Sequence, residues 1–382
     1  MKAFKLSNKR KTVGFCLFLT VAFFLFGCND DKSTCAECIH EIDVPLLEDD
    51  ITEYPRVSEL FSSIDTVYLE NAGAESFVAS VDEVKLTGDT IIVRSANNLF
   101  LFDSQGHFLR RFFDLDNDSA SDCVIERFDL LPESNELYIL DGHNNKVIAY
   151  GMDGSFHRQI DVDDYVTDFA VLPGGGFLFT NPLKYPNPEY RRGLWRTDAD
   201  GRFVRQLVEF DPEFAHVSIN NPYLNHIRPG VIGFMGVEDN DRFYTVSQDS
   251  VKVTCRMRTD IAIPDYIKHS DKVFTNSQKE YTKCGYQETD RFLYFVATNY
   301  GANVVMVLVD KSDWTTYRMY VYTEEFNYNA SNIEQFPYVI GCYNGTLIGF
   351  FDSGMVLQEE RFRRMFPSVT ADSNPVLILY RD

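Results

Sequence analysis

A single phrase recurs along the chain at nearly constant spacing. Leu99-Phe100-Leu101-Phe102 runs into Asp103-Ser104-Gln105-Gly106 and then His107-Phe108-Leu109-Arg110. Val147-Ile148-Ala149-Tyr150 runs into Gly151-Met152-Asp153-Gly154, then Ser155-Phe156-His157-Arg158. The third copy is Asp198-Ala199-Asp200-Gly201-Arg202-Phe203-Val204-Arg205. Gly106, Gly154 and Gly201 lie 48 and 47 residues apart, each followed by Phe two positions on and Arg four positions on. Strand-forming residues on both sides of a glycine turn, repeated at this period, are the mark of a β-propeller blade. A pair of β-sandwiches, the rival all-β architecture, carries no such super-period.

Short β-branched or aromatic runs bounded by Gly, Asn, Asp or Pro continue to the last residues, from Thr66-Val67-Tyr68-Leu69 to Val376-Leu377-Ile378-Leu379-Tyr380. Only Val57 to Ile64 reads as a helical turn or two. The 320 residues from Ser63 to Asp382 divide into six units of about 50 residues. These centre on Val84–Phe112, Phe128–Ile160, Phe169–Leu207, Val231–Ile263, Gly285–Tyr320 and Pro337–Tyr380. The expected fold is therefore an all-β, six-bladed β-propeller. A propeller must close its ring or expose strand edges, and Thr66–Leu69 with Val376–Tyr380 form the obvious closing pair of N- and C-terminal strands.

Residues Met1 to Lys11 carry Lys2, Lys5, Lys9, Arg10 and Lys11 and no acid, and a fifteen-residue apolar run, Val13 to Gly27, follows. That is short of the roughly 20 residues that span a bilayer and has the flanks of a signal-peptide core. It stops at Leu25-Phe26-Gly27-Cys28, which resembles a lipobox, although Phe26 is bulkier than that motif usually shows. Residues 1–27 read as a lipoprotein signal peptide, 28–55 as a tether and 56–382 as the propeller. Cys28 is the expected lipidation (palmitate) site. Asn29-Asp30-Asp31-Lys32 behind it resembles the signal that exports Bacteroidetes lipoproteins to the cell surface. The expected location is the outer membrane, lipid-anchored and surface-facing, with the periplasmic face as the alternative.

Charge excludes one class of partner. The chain has 36 basic and 57 acidic residues; without residues 1–27, 31 basic residues face 57 acidic ones, a net charge of −26. Nucleic-acid binding rests on Lys and Arg neutralising phosphates, so no nucleic-acid partner is expected. The acyl chain, rather than a basic surface, must hold the protein to a membrane.

At this point the chain resembles the six-bladed β-propeller lipoproteins of Bacteroidetes. The likeness rests on Ile64-Asp65-Thr66-Val67-Tyr68-Leu69-Glu70, the Phe102-Asp103 and Gly106-x-Phe108 turn, and Tyr138-Ile139-Leu140-Asp141. Glu288-Thr289-Asp290-Arg291-Phe292-Leu293 and Asn374-Pro375-Val376-Leu377-Ile378 complete it. The resemblance implies a propeller and an envelope location; it implies no reaction and no catalytic residues. The segment after the first blade, commonly Gly- and Pro-rich in that family, is here the acidic Asp114 to Asp122.

Local catalytic signatures are missing: there is no His-x-His, no Gly-x-Ser-x-Gly and no phosphate loop. Asp114, Asp116, Asp118 and Asp122 mimic a calcium loop, but Ser119 replaces the turn glycine and Ile125 the bidentate Glu; a solvated acidic loop is the better reading. No metal and no cofactor are expected. His107, His143, His157 and His226 read as isolated surface or turn residues. Cys35 and Cys38 read as a local disulfide or free thiols, and Cys123, Cys255, Cys284 and Cys342 as buried thiols with one bridge possible. Four Asp-Ser/Thr-apolar triplets (at Thr66, Thr90, Ser119 and Ser250) match a short O-glycosylation sequon.

Ligand recognition points to two connections. Asn181 to Trp195 is enlarged and carries Tyr185, Tyr190, Arg191 and Arg192; Asn220 to Arg228 carries Tyr223 and Arg228. Tyr rings stack on sugars or peptides and Arg grips carboxylates, and loops on a rigid scaffold commonly hold binding sites. The alternative for both is packed loop, with Trp195 in the blade core. The function read from the sequence is an envelope-anchored binding platform for a glycan, peptide or envelope protein. The alternative is a propeller hydrolase or lyase with a metal in the central channel, which converging carboxylates and His or Asn on the axis would favour.

Overall fold

Strands dominate because each apolar run is short, β-rich and cut by a turn residue. The computed structural model describes residues 39–44, 56–112, 123–181, 189–210, 224–236, 242–248, 250–259, 281–299, 303–322 and 339–382. Cys28, Cys35, Cys38, the acidic loop, Tyr185 and Tyr223 lie outside them. The described chain opens with β1 (His40–Asp43), a single helical turn α1 (Val57–Leu60) and β2 (Ser63–Tyr68). Three four-stranded antiparallel sheets follow. The first holds β3 (Glu83–Thr87), β4 (Thr90–Ser95), β5 (Asn98–Asp103) and β6 (Phe108–Arg111). The second holds β7 (Ile125–Leu131), β8 (Glu136–Asp141), β9 (Lys146–Gly151) and β10 (Phe156–Asp161). The third holds β11 (Asp168–Val171), β12 (Phe177–Asn181), β13 (Gly193–Thr197) and β14 (Phe203–Val208).

Then come β15 (Leu224–Arg228), β16 (Val231–Met235), β17 (Arg242–Ser247) and β18 (Val251–Arg258). A fourth four-stranded sheet holds β19 (Tyr281–Glu288), β20 (Phe292–Asn299), β21 (Asn303–Asp310) and β22 (Thr315–Tyr322). The chain ends with β23 (Gly341–Tyr343), β24 (Thr346–Phe351), the short helices α2 (Ser353–Gln358) and α3 (Glu360–Met365), and β25 (Val376–Arg381). Nine strands join in one sheet, β1-β18-β17-β16-β15-β23-β24-β25-β2, through a single parallel pair, His226 with Tyr343, between β15 and β23. The fold is all-β and propeller-like.

The recurring glycines sit in the turn from third to fourth strand. Gly106, Gly154 and Gly201 have φ of +90°, +86° and +79°, a region open to glycine because it lacks Cβ. Each turn closes with the same bonds, such as Gly106 N–H to Asp103 O at 3.0 Å and Gly201 N–H to Asp198 O at 3.1 Å. In the first and third copies the Asp side chain accepts two further N–H groups, from Gln105 and His107 at Asp103 and from Asp200 and Arg202 at Asp198.

Both faces of most sheets are covered, so strands such as β12 are buried along their whole length. One core cluster sets Ile92 and Leu101 against Phe128 and Ile139. Others set Tyr138 and Val147 against Phe169 and Trp195, Leu178 against Phe234 and Phe295, and Tyr294 against Phe351 and Val376. A last cluster packs Val84 and Phe100 against Val67, Leu377 and Leu379, which returns to the first sheet. Each such side chain contributes about 1.5–3 kcal/mol, so the interfaces between sheets carry most of the stability.

The expected closing pair is present. β2 runs antiparallel to β25 from Ser63 opposite Arg381 to Tyr68 opposite Val376, and β25 also pairs with β24. Within the stretch expected as tether, 28–55, one strand is described. His40–Asp43 add in parallel to β18, because Ile42 and Val44 turn into the core at 1% and 0% exposure while Asp43 and Glu41 pair with Arg258 at 2.8 and 3.0 Å.

Candidate functional site

Six strands touch in succession: β3 with β7, β7 with β11, β11 with β15, β15 with β19, β19 with β23, and β23 with β3 again. These strands enclose the axis, and they carry charge in the middle of apolar runs. Lys85 interrupts Val84-Lys85-Leu86 on β3, and Asp129 interrupts Phe128-Asp129-Leu130 on β7. Asp129 is fully buried. Its Oδ1 accepts from Lys85 Nζ at 2.9 Å, and its Oδ2 accepts from His226 Nε2 at 2.7 Å and from the Val171 N–H at 2.6 Å. A carboxylate is an acceptor only, so His226 Nε2 carries the proton of that bond.

Burial alone would raise the Asp129 pKa, but the His226 and Lys85 charges and the donated bonds outweigh it and hold the carboxyl well below its usual range. Burial likewise works to lower the Lys85 pKa, and Asp129 with Glu83, the latter at 3.5 Å, reverses this and leaves it raised. The Lys85 ammonium also lies over the Phe128 and Tyr343 rings, 5.6 and 5.4 Å from their centroids. Beside this centre Asp168 on β11 accepts the Leu224 N–H of β15 at 2.9 Å. Asp129 and Asp168 thus each clamp the backbone of the next inner strand. On β19, Glu288 is fully buried, pairs with Lys311 Nζ at 2.7 Å and accepts the Tyr286 hydroxyl.

Among the described residues, the inner strands therefore carry buried charges that are paired with one another. Carboxylates and a histidine do converge there, but their acceptor and donor atoms face one another. His226, expected at the surface or in a turn, is 6% exposed; its place on an inner strand, facing Asp129, is the reason. It reaches a small pocket of about 70 Å³ at the end of the axis where the inner strands finish, bordered by Glu133, Pro173, Pro229, Tyr343 and Asn344. Among the described residues, no group of three or more His, Cys, Asp and Glu is placed to hold a metal ion.

The loop residues singled out in the sequence fall in two places. Tyr190 stacks on Tyr165 with ring centroids 6.3 Å apart. Arg191 Nε pairs with Asp164 at 3.2 Å, and its guanidinium lies 3.8 Å from the Phe203 ring centroid on β14, the strand farthest from the axis. The Arg192 carbonyl accepts from Gln206 at 2.8 Å. All three are half-buried, and Trp195 is in the core at 1% exposure. This connection leaves β12 beside the start of β11, where Asp168 pairs with Thr180. Arg228 is exposed, paired with Asp290, at the finish of β15. Because β15 starts at Asp168, Arg228 stands at the opposite end of the inner strands from Tyr190–Arg192. Arg228 and Tyr190–Arg192 therefore do not share one patch, and Tyr185 and Tyr223 lie outside the described residues.

Cys123, Cys255 and Cys342 are free thiols. Burial pushes Cys123 and Cys342 up to about 12, which keeps both in the unreactive thiol form.

Among solved structures, a Bacteroides fragilis protein described as exported superposes with a TM-score of 0.69 at 14% identity, covering 89% of this chain and 99% of that one. A DUF4221 family member from Bacteroides vulgatus gives 0.47 at 8%, covering 84% and 96%. A streptogramin B lyase gives 0.37 at 10%, covering 67% and 72%. The first likeness speaks to fold alone and the other two carry no argument. No curated protein matches the chain. A family model described as a domain of unknown function, DUF4934, matches residues 42–381, and the chain belongs to that family.

Proposed function

We propose that this protein is a six-bladed propeller lipoprotein, anchored through Cys28 in the outer membrane and facing the cell surface, that serves as a rigid binding platform. The closed succession of six inner strands supports the blade count, with the single His226–Tyr343 pair merging two four-stranded blades into the nine-stranded sheet. The basic start, apolar run and Gly27-Cys28 junction support the anchor, and the Bacteroides fragilis relative in fold is described as exported.

One observation carries the platform reading: the axial acid has both oxygens occupied by donors from three other inner strands. Such a centre locks blades together and offers no free base. The pocket above it, at about 70 Å³, is far below the roughly 300–1,000 Å³ of sites that take small molecules. The hydrolase or lyase reading keeps one supporting feature, the Asp129–His226 pair with His226 bordering that pocket. Ligand contacts are assigned to Tyr190, Arg191 and Arg192 with Tyr185 and Tyr223, for a glycan, peptide or envelope protein.

Array screening of the purified protein should find a ligand whose binding Arg191→Ala weakens without a change in melting temperature. Binding unaffected by Arg191→Ala and Tyr190→Ala would remove that assignment. Cys28→Ala should abolish palmitate labelling, and labelling that persists would overturn the anchor.

A further inference from the structure

A second and larger concavity lies between the end of β2 and the segment that leads into β25. It measures about 400 Å³ and is lined by Tyr68 and Asn71 from the N-terminal side and by Ser368, Thr370, Asp372 and Ser373 from the C-terminal side. This volume is within the range of small-molecule sites. Its walls are tied across some 300 residues of sequence. Asn374, 2% exposed, donates to the Glu70 and Ser76 carbonyls at 2.8 and 2.7 Å and accepts the Val78 N–H at 2.8 Å. Asn71 Nδ2 donates to the Asp372 carbonyl at 2.6 Å. Thr370 N–H donates to Ser373 Oγ at 2.9 Å. A pocket held this way needs little ordering when it is filled.

The lining chemistry narrows the occupant. Among the described residues no Lys, Arg or His lines the pocket and Asp372 is the one charged side chain there, so an anion would be repelled. Tyr68 is 41% exposed and is held edge-on by Phe366, ring centroids 6.4 Å apart; it presents an apolar face with a polar tip. Hydroxyls and a carboxylate beside one exposed aromatic face match a molecule with many O–H donors and a flat C–H surface. We propose that this seam pocket binds a neutral saccharide. The inference does not depend on the loop site around Arg191.

The test is saturation-transfer NMR followed by titration of the full chain with cellotriose, maltotriose and N,N′-diacetylchitobiose, each at up to about 10 mM, with trigalacturonate as the anionic probe. At least one neutral saccharide should bind with a Kd of about 1 mM or tighter. Tyr68→Ala and Asp372→Ala, both at exposed side chains, should each weaken that binding about tenfold and leave the melting temperature in place. Arg191→Ala should leave it untouched, which separates this site from the loop site. The proposal is overturned if no neutral saccharide binds, if trigalacturonate binds as well as they do, or if binding survives both substitutions.

Discussion

Replacing Asp129 by Asn tests the axial centre at its most connected atom pair. The substitution keeps the shape but removes the charge and turns one acceptor into a donor. That amide N–H₂ must then face Lys85, or both His226 and the Val171 N–H, all of which donate. Lys85 would keep only Glu83, at 3.5 Å. Removing one partner of a buried ion pair costs about 3–5 kcal/mol, because the other charge is left uncompensated. At about 2 °C per kcal/mol for a domain of this size, the melting temperature should fall by about 6–10 °C.

Lys85→Met should cost less, since Asp129 retains two donors, and the double variant should cost less than the two single losses added. The pH dependence follows from the same pair. The Asp129 pKa is depressed on folding, so its contribution is present above the ordinary value of 3.8 and is lost as pH falls below it. The Lys85 pKa is raised, so its contribution is present below 10.5 and is lost as pH rises above it. Thermal melts monitored by circular dichroism across that range would show a plateau with two falling limbs, the acid limb shallower in Asp129→Asn. An Asp129→Asn protein melting within about 2 °C of wild type would refute the reasoning.

Deleting Asn374–Asp382 removes β25 from between β24 and β2 together with the Asn374 clamp; no cooperative melt should remain, and a melt at the wild-type temperature would exclude this closure. Gly106→Ala places a Cβ 2.2 Å from the Tyr68 carbonyl oxygen at φ +90° and should cost more than about 2 kcal/mol, whereas Gly154→Ala, at φ +86° with its nearest neighbour 3.8 Å away, should cost about 1 kcal/mol in urea unfolding. Cys342 in the folded protein should resist iodoacetamide at about pH 8, read by peptide mass spectrometry after unfolding and labelling with a second reagent.

The propeller-like fold was legible because its signal is local: a glycine at positive φ recurs where the outer hairpin turns tightly, as at Gly106, Gly154 and Gly201. The later turns escape that pattern for a physical reason. Trp314 takes φ +63° at the turn before β22, without glycine, and β25 takes its partner β2 from far earlier in the chain. The axial centre was not legible. Lys85, Asp129, Asp168 and His226 stand singly on four inner strands and meet only once the ring closes. The available signal was a charge placed inside an apolar strand, as in Phe128-Asp129-Leu130, where burial makes a partner obligatory. β1 was missed because four residues paired in parallel leave too short a pattern, although Ile42 and Val44 alternate inward. Of the loop residues, Tyr and Arg content picks out two connections, but composition does not say at which end of a strand a connection emerges. That is how Arg228 was grouped with Arg191.

We propose that the axis is a structural lock, and His226→Gln tests this most directly against a catalytic role. Mass spectrometry of a mixture of saccharides and lactones, before and after incubation with wild type and variant, would be read beside their melting temperatures. The account predicts no turnover by either protein and a lower melting temperature for the variant, which loses the bond to Asp129. Product formation by wild type that His226→Gln abolishes at an unchanged melting temperature would contradict it.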